Sequence, residues 1–220
     1  MTGNHQPKAI SYSMNKPNFF IVGAPKCGTT AMDEYLKQHP DVFMTKKSLD
    51  FFGRDLPLKI KPSEEEYLSF FKEAGKRKIY GDASVYYLYS KSAASEIKTF
   101  SPDAKILIML RNPVTLIYAL HSQNIYEGNE DIADFDTAIR LDEERRKGNK
   151  QPNCVDFTDL PPYKDIAFFS EQVKRYLDTF GKENVHIIIY EEFAKDPEGC
   201  TKQVFSFLGV SPDIRIQYNV

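Results

Sequence analysis

An apolar run at residues 18–22 (NFFIV) breaks into Gly23-Ala24-Pro25-Lys26-Cys27-Gly28-Thr29-Thr30, and amphipathic spacing follows at once. Met32, Tyr35 and Leu36 then share one face of a helix over residues 29–38. A buried strand, a tight Gly/Pro turn and a helix start in direct succession leave few folds open. Small residues let main-chain N–H groups turn inward, and the helix start behind them favours negative charge. Thr29 and Thr30 add hydroxyl donors and Lys26 adds a point charge. The segment therefore reads as a phosphate-binding loop. In the common triphosphate loop the lysine directly follows the second glycine. Here Thr29 holds that place and Lys26 precedes Gly28, which argues against an ordinary ATPase or kinase.

The rest of the chain repeats the alternation. Residues 105–110 (KILIML) are nearly continuous in apolar character, as expected of a strand buried on both faces of a parallel sheet. Arg111-Asn112-Pro113 opens the next helix, with proline in the first turn. Residues 185–190 (VHIIIY) read as a third buried strand and residues 79–81 as a brief one. Helices are expected at 62–74 with Ser63 as cap, 90–100, 134–147, 163–180 stopped by Gly181, and 197–208 closed by Gly209. Residues 43–52 read as a loop or strand end, and 148–162 as a long loop. Strands alternating with helices imply an α/β domain around a parallel sheet.

Composition narrows the function. Among 220 residues the net charge is -2, so no basic excess points to nucleic acid. Cys27, Cys154 and Cys200 are odd in number and far apart, which fits neither a disulfide framework nor a zinc site. Free thiols of this kind lead us to expect a cytoplasmic protein. No apolar run reaches the roughly 18 residues of a membrane span. Residues 1–16 are polar and read as a flexible leader, with one domain over 17–220.

The stretch FFIVGAPKCGTTAMDEYLKQHPDVFM resembles the 5′-phosphosulfate loop of sulfotransferases that use 3′-phosphoadenosine 5′-phosphosulfate (PAPS), in the branch of bacterial and heparan-type carbohydrate enzymes. DFFGRDL, YGDASVYYLYSK, KILIMLRNPV, LHSQNIYEGNEDI and EQVKRYLDTFGKENVHIIIYEEF continue the resemblance over about residues 17–210. It implies a nucleotide-kinase-like, P-loop three-layer fold with a central parallel sheet flanked by helices. It implies PAPS as co-substrate, 3′-phosphoadenosine 5′-phosphate (PAP) as product, no required metal, and a hydroxyl acceptor on a small molecule, lipid or saccharide. Pro25, Lys26, Cys27, Gly28, Thr29 and Thr30 would then hold the 5′-phosphosulfate, with Lys26 also assisting the leaving group. Arg111 matches the arginine that binds the 3′-phosphate.

The chain departs from the family pattern at three places. Ala119 stands where relatives carry a serine that helps Arg111, and Ser122, about one turn on, is the expected substitute. Ser48 stands where relatives carry a catalytic glutamate. Asp50, Asp82 and His121 are the candidate bases in its place, and Glu127 reads as a solvated side chain. Lys46 and Lys47 either guide an anion or lie in solvent. No basic, glycine-containing closing loop follows residue 210. Phe51, Phe52, Tyr86, Tyr87 and Tyr163 line an acceptor cleft or belong to the core. Two other readings remain: a nucleotide-binding module of this fold with weak or no catalysis, and an ATP-dependent kinase.

Overall fold

The computed structural model describes residues 15–218, so most of the expected leader lies outside the described residues. In chain order the elements are β1 (Phe19–Gly23), α1 (Thr29–Lys37), β2 (Val42–Met44), α2 (Glu64–Ser69), β3 (Ile79–Ala83), α3 (Ala93–Phe100), β4 (Lys105–Leu110), α4 (Pro113–Glu127), α5 (Phe135–Arg140), α6 (Asp142–Arg146), α7 (Tyr163–Ile166), α8 (Phe169–Phe180), β5 (Val185–Ile189), α9 (Tyr190–Lys195) and α10 (Pro197–Leu208).

The five strands form one parallel sheet in the order β2-β3-β1-β4-β5. α1 and α10 pack together on one face, and α3 and α8 on the other. Central β1 is buried along its whole length, and Ile106, Leu107, Ile108 and Met109 of β4 are fully buried. This matches the continuous apolar runs that predicted strands covered on both faces. β5 corrects its prediction. As an edge strand it leaves Ile187 and Ile189 each 38% exposed.

Three expected helices prove shorter. The stretch 62–74 ends its α-helix at Ser69, with a separate 3-10 turn at Lys72–Ala74. Its start is as expected: Ser63 accepts from the Glu66 N–H, and Glu66 accepts from the Ser63 N–H, a reciprocal cap. The stretch 134–147 breaks at Leu141. There the buried Asp142 carboxylate caps α7, accepting from the N–H groups of Tyr163 and Lys164 at 3.1 and 3.0 Å. The stretch 163–180 breaks after Ile166, where Gln172 Nε2 donates to the carbonyls of Asp165 and Ile166. The break at Leu141 is fixed by a contact across the fold and that after Ile166 by a side-chain contact to the main chain, to both of which hydrophobic spacing is blind.

All strands run the same way, so the segments after Gly23, Met44, Ala83, Leu110 and Ile189 emerge on one edge of the sheet. From β1 the chain passes through α1 to β2 on one side, whereas β4 and β5 lie on the other. The loops after β1 and β4 therefore flank the crevice where an open α/β sheet binds its ligand.

Candidate active site

A cleft of about 1040 Å³ opens at that edge. Pro25, Lys26, Gly28, Thr29 and Thr30 line one end, together with Lys47, Arg111 and Tyr190. Asp50, Tyr86, Leu58, Ile60, Val155 and Phe157 line the other.

The phosphate loop has the backbone its sequence requires. Gly28 caps α1 at φ 83, a left-handed conformation that glycine adopts without steric cost. A Cβ at Gly28 would lie 3.1 Å from the rings of Tyr190 and Phe193. Thr29 and Thr30 open α1 directly behind it, so their N–H groups belong to the unpaired first turn of the helix. Cys27 is fully buried, its thiol donating to the Pro25 carbonyl, and burial pushes its pKa up to about 12. Only its main chain is therefore available to a ligand, and the thiol is no nucleophile.

Three cations converge on the loop. Lys26 Nζ donates to Gln123 Oε1 at 2.8 Å. Lys47 Nζ donates to Thr29 Oγ1 at 3.2 Å and to Thr30 Oγ1 at 2.8 Å. Arg111 donates through Nη1 to the Lys26 carbonyl at 3.2 Å and through Nε to Thr115 Oγ1 at 3.0 Å, with its guanidinium 4.7 Å from the centre of the Tyr190 ring. Among the described residues none of the three forms an ion pair with a carboxylate. Burial lowers the Lys47 pKa, opposed by nearby Asp33 and Glu34. Three cations beside a helix N-terminus, with hydroxyl and amide partners only, make an anion site.

At the other end the structure separates the candidate bases. Asp50 faces the cleft, and its Oδ1 is buried with no hydrogen-bond partner. Burial, reinforced by Asp82 and Asp156 and opposed by Lys61, raises its pKa to about 7. A carboxyl poised near neutrality is suited to accept a proton. Asp82 lies in the interior, 0% exposed, where it accepts from three hydroxyls. His121 is also outside the cleft. It packs between the Phe135 and Tyr163 rings, with Nε2 2.8 Å from the Ile132 carbonyl. The structure thus corrects the expectation for both: neither lines the cleft. Ser48 lines the cleft beside Lys47 but carries no carboxylate.

Ser122 is corrected as well. It lies on the exposed side of α4, away from the cleft, and Thr115 takes the place beside Arg111. Sequence reasoning missed Gln123 and Tyr190. Tyr190 follows β5 directly, the same strand-end position that singles out Arg111, and that signal was available. Glu127 is not simply solvated: it lines the cleft and accepts from Gln123 Nε2. Of the aromatics, Phe52, Tyr87 and Tyr163 are core, whereas Tyr86 faces the cleft.

This geometry meets a family pattern. The Sulfotransferase domain matches residues 16–218. The chain belongs to the sulfotransferase family. A crystal structure of a sulfotransferase from Alicyclobacillus acidocaldarius superposes with a TM-score of 0.84 at 37% identity, covering 94% of this chain and 86% of that one. Mouse sulfotransferase SULT7A1 complexed with PAP shares the fold, with a TM-score of 0.59 at 19% identity over 90% of this chain and 60% of that one. Rat carbohydrate sulfotransferase 15 is 26% identical over 89% of this chain and 44% of its own length. Mouse heparan sulfate glucosamine 3-O-sulfotransferase 3B1 is 25% identical over 90% of this chain and 47% of its own length. The chain thus spans about half the length of these two curated relatives. Family and sheet agree with the nucleotide-kinase-like α/β fold that the family resemblance implied.

Proposed function

We propose that this protein transfers a sulfuryl group from PAPS to an acceptor hydroxyl. One observation carries the reading. Lys26, Lys47 and Arg111, none of them in an ion pair among the described residues, face one end of a cleft whose other end holds Asp50, with its unpartnered buried oxygen. The phosphosulfate belongs at the loop, and the 3′-phosphate at Arg111, whose planar fork suits a terminal phosphate.

In the transfer, Asp50 accepts the hydroxyl proton of the acceptor, and the acceptor oxygen forms a bond to sulfur. The bond between sulfur and the bridging oxygen of the 5′-phosphate breaks, and that oxygen leaves with the electron pair as part of PAP. Lys26 and the N–H groups of Thr29 and Thr30 meet the charge that develops there. A sulfuryl group carries less charge than a phosphoryl group, so lysine and main-chain donors suffice to hold it.

The wall beyond Asp50 supports an acceptor that presents an apolar face around its hydroxyl. Two loop segments pair there through a Leu58–Phe157 bridge. They project Ile60 and Val155 at the mouth, 85% and 61% exposed. A small alcohol or the C–H face of a saccharide fits such a wall, and the names of the carbohydrate-modifying relatives favour the saccharide. Cytoplasmic location stays part of this proposal and rests on the three free, buried cysteines. Among the described residues no helix is long and apolar enough to cross a membrane.

Calorimetry with PAP, followed by transfer of labelled sulfate from PAPS to a panel of small alcohols and oligosaccharides, tests the reading. Binding and transfer are expected, and both should be lost or greatly weakened in Lys26→Ala. No PAP binding at millimolar nucleotide would overturn it. Ser48 in the cleft wall, and Ala119 on α4 where the family resemblance calls for a serine, favour a second reading, a nucleotide-binding module without catalysis. Firm PAP binding with no consumption of PAPS would select it.

A further inference from the structure

We propose that Asp82 is a positioning residue, which holds the loop carrying Asp50 in register through a layer of hydroxyls. The inference rests on the reading of Asp50 as proton acceptor. Asp82 lies in β3 with no exposed surface. Its Oδ1 accepts from Ser84 Oγ at 2.7 Å, and its Oδ2 accepts from Tyr67 and Tyr87 hydroxyls at 2.9 and 3.1 Å.

The same hydroxyls face the other way toward the loop. Ser84 Oγ accepts the Asp50 N–H at 3.1 Å. The Tyr87 hydroxyl accepts the N–H groups of Phe51 and Phe52 at 2.9 and 3.3 Å. Tyr67 contributes its ring instead, stacked on Phe51 at 4.4 Å between centroids.

The chemistry gives this arrangement one sense. A hydroxyl has a single proton to donate and lone pairs to accept with. An ionised carboxylate is acceptor-only, so it draws all three protons inward. The oxygens of Ser84 and Tyr87 then present lone pairs to three consecutive main-chain N–H groups. An amide at position 82 keeps one acceptor oxygen but turns its NH2 toward either Ser84 or the two tyrosines, and the hydroxyls on that side are freed to point their protons at the loop. Asp50 and Ser48 both have left-handed backbones, φ 51 and φ 57, a conformation unfavourable for residues other than glycine. The loop therefore needs outside support to keep its path, and Asp82 supplies it at one remove.

The test uses the full chain with Asp82→Asn, Ser84→Ala and Tyr87→Phe. Amide hydrogen exchange is followed residue by residue by NMR. Ser84→Ala should speed exchange at Asp50, and Tyr87→Phe at Phe51 and Phe52. Asp82→Asn should speed it by about tenfold or more, the loss of one hydrogen bond's protection, at Asp50 or at Phe51 and Phe52 according to which side the amide NH2 takes. Exchange in β1 and β4 should stay unchanged, which separates local release from unfolding. Release of sulfate from PAPS with water as acceptor should fall about tenfold in kcat, with the KM for PAPS held, since the loop positions the base. The Asp50 carboxyl, faced by Asp82, Asp156 and Lys61, should titrate lower in Asp82→Asn, because a neighbouring negative charge is gone. Unchanged exchange at residues 50–52 in Asp82→Asn, or in both Ser84→Ala and Tyr87→Phe, would overturn the proposal. PAP calorimetry on the unsubstituted chain keeps the two readings apart, since its failure would sink the donor assignment and leave the exchange result standing.

Discussion

The ammonium of Lys47 lies 2.8 Å from the hydroxyl of Thr30, although one follows β2 and the other opens α1. The contact brings a second lysine to the phosphate loop. The loop sequence contributes only Lys26, so the anion site is richer in charge than its motif alone implies.

Removing that charge should weaken nucleotide binding. Hydrogen bonds to charged groups contribute about 1.5–3 kcal/mol. Lys47→Met should therefore raise the PAP dissociation constant roughly 10- to 100-fold, read by calorimetry. Because burial lowers the Lys47 pKa, its charge is lost sooner than an ordinary lysine's as pH rises. PAP affinity of the unsubstituted chain should accordingly begin to fall at a lower pH than an ordinary lysine would give, and Lys47→Met should lack that part of the profile.

Asp50→Ala should lower turnover by on the order of 100-fold or more while PAP affinity barely changes, since the carboxyl serves the acceptor. A base must be ionised to act, so the rate should rise with pH through about 7. Ser48→Glu, which restores a carboxylate where relatives carry one, should add little while Asp50 is present. Equal activity of Asp50→Ala and the unsubstituted chain would refute the assignment.

Stability offers an independent view of the same carboxyl. Its folded pKa, about 7, lies above the ordinary value of 3.8. Between those two values the folded state binds more protons than the unfolded state, so this group's contribution to stability falls as pH rises. Asp50→Asn should be more thermostable than the parent above neutrality. The advantage should grow through that interval and level off above it, as thermal melts across pH would show.

Gly28→Ala should damage both fold and site. At φ 83 a side chain costs about 1–2 kcal/mol, and the added Cβ meets the Tyr190 and Phe193 rings at 3.1 Å. For a chain of this size that is a drop of about 2–8 °C in Tm, accompanied by weaker PAP binding because the loop amides shift.

A buried ion pair away from the cleft should matter for folding alone. Arg145 grips Glu130 with both Nη atoms at 2.6 and 2.9 Å, and Tyr163 donates to the same carboxylate at 3.1 Å. Both charged side chains are fully enclosed. Arg145→Met leaves a buried carboxylate without its partner and should cost about 3–5 kcal/mol in urea unfolding. The double variant Glu130→Leu with Arg145→Met should recover part of that loss.

The sequence by itself determined the strand–loop–helix unit at residues 19–37, the β4–Arg111 junction and the parallel α/β plan. In each case the informative residues are contiguous: an apolar run, small residues at a turn, a cap and a periodic helix speak for one local structure. Tertiary structure alone decided which of the expected bases faces the cleft. Sequence offered Asp50 first, with Asp82 and His121 behind it, and could not choose among them, because the direction of a side chain depends on backbone torsion and on what packs above it. A positive φ at Asp50 sends its carboxyl to the cleft, the pleat of β3 turns Asp82 into the core, and two rings enclose His121. The meeting of Lys47 with Thr29 and Thr30 and the break at Leu141 arise in the same way, from contacts between segments that only the assembled fold brings together.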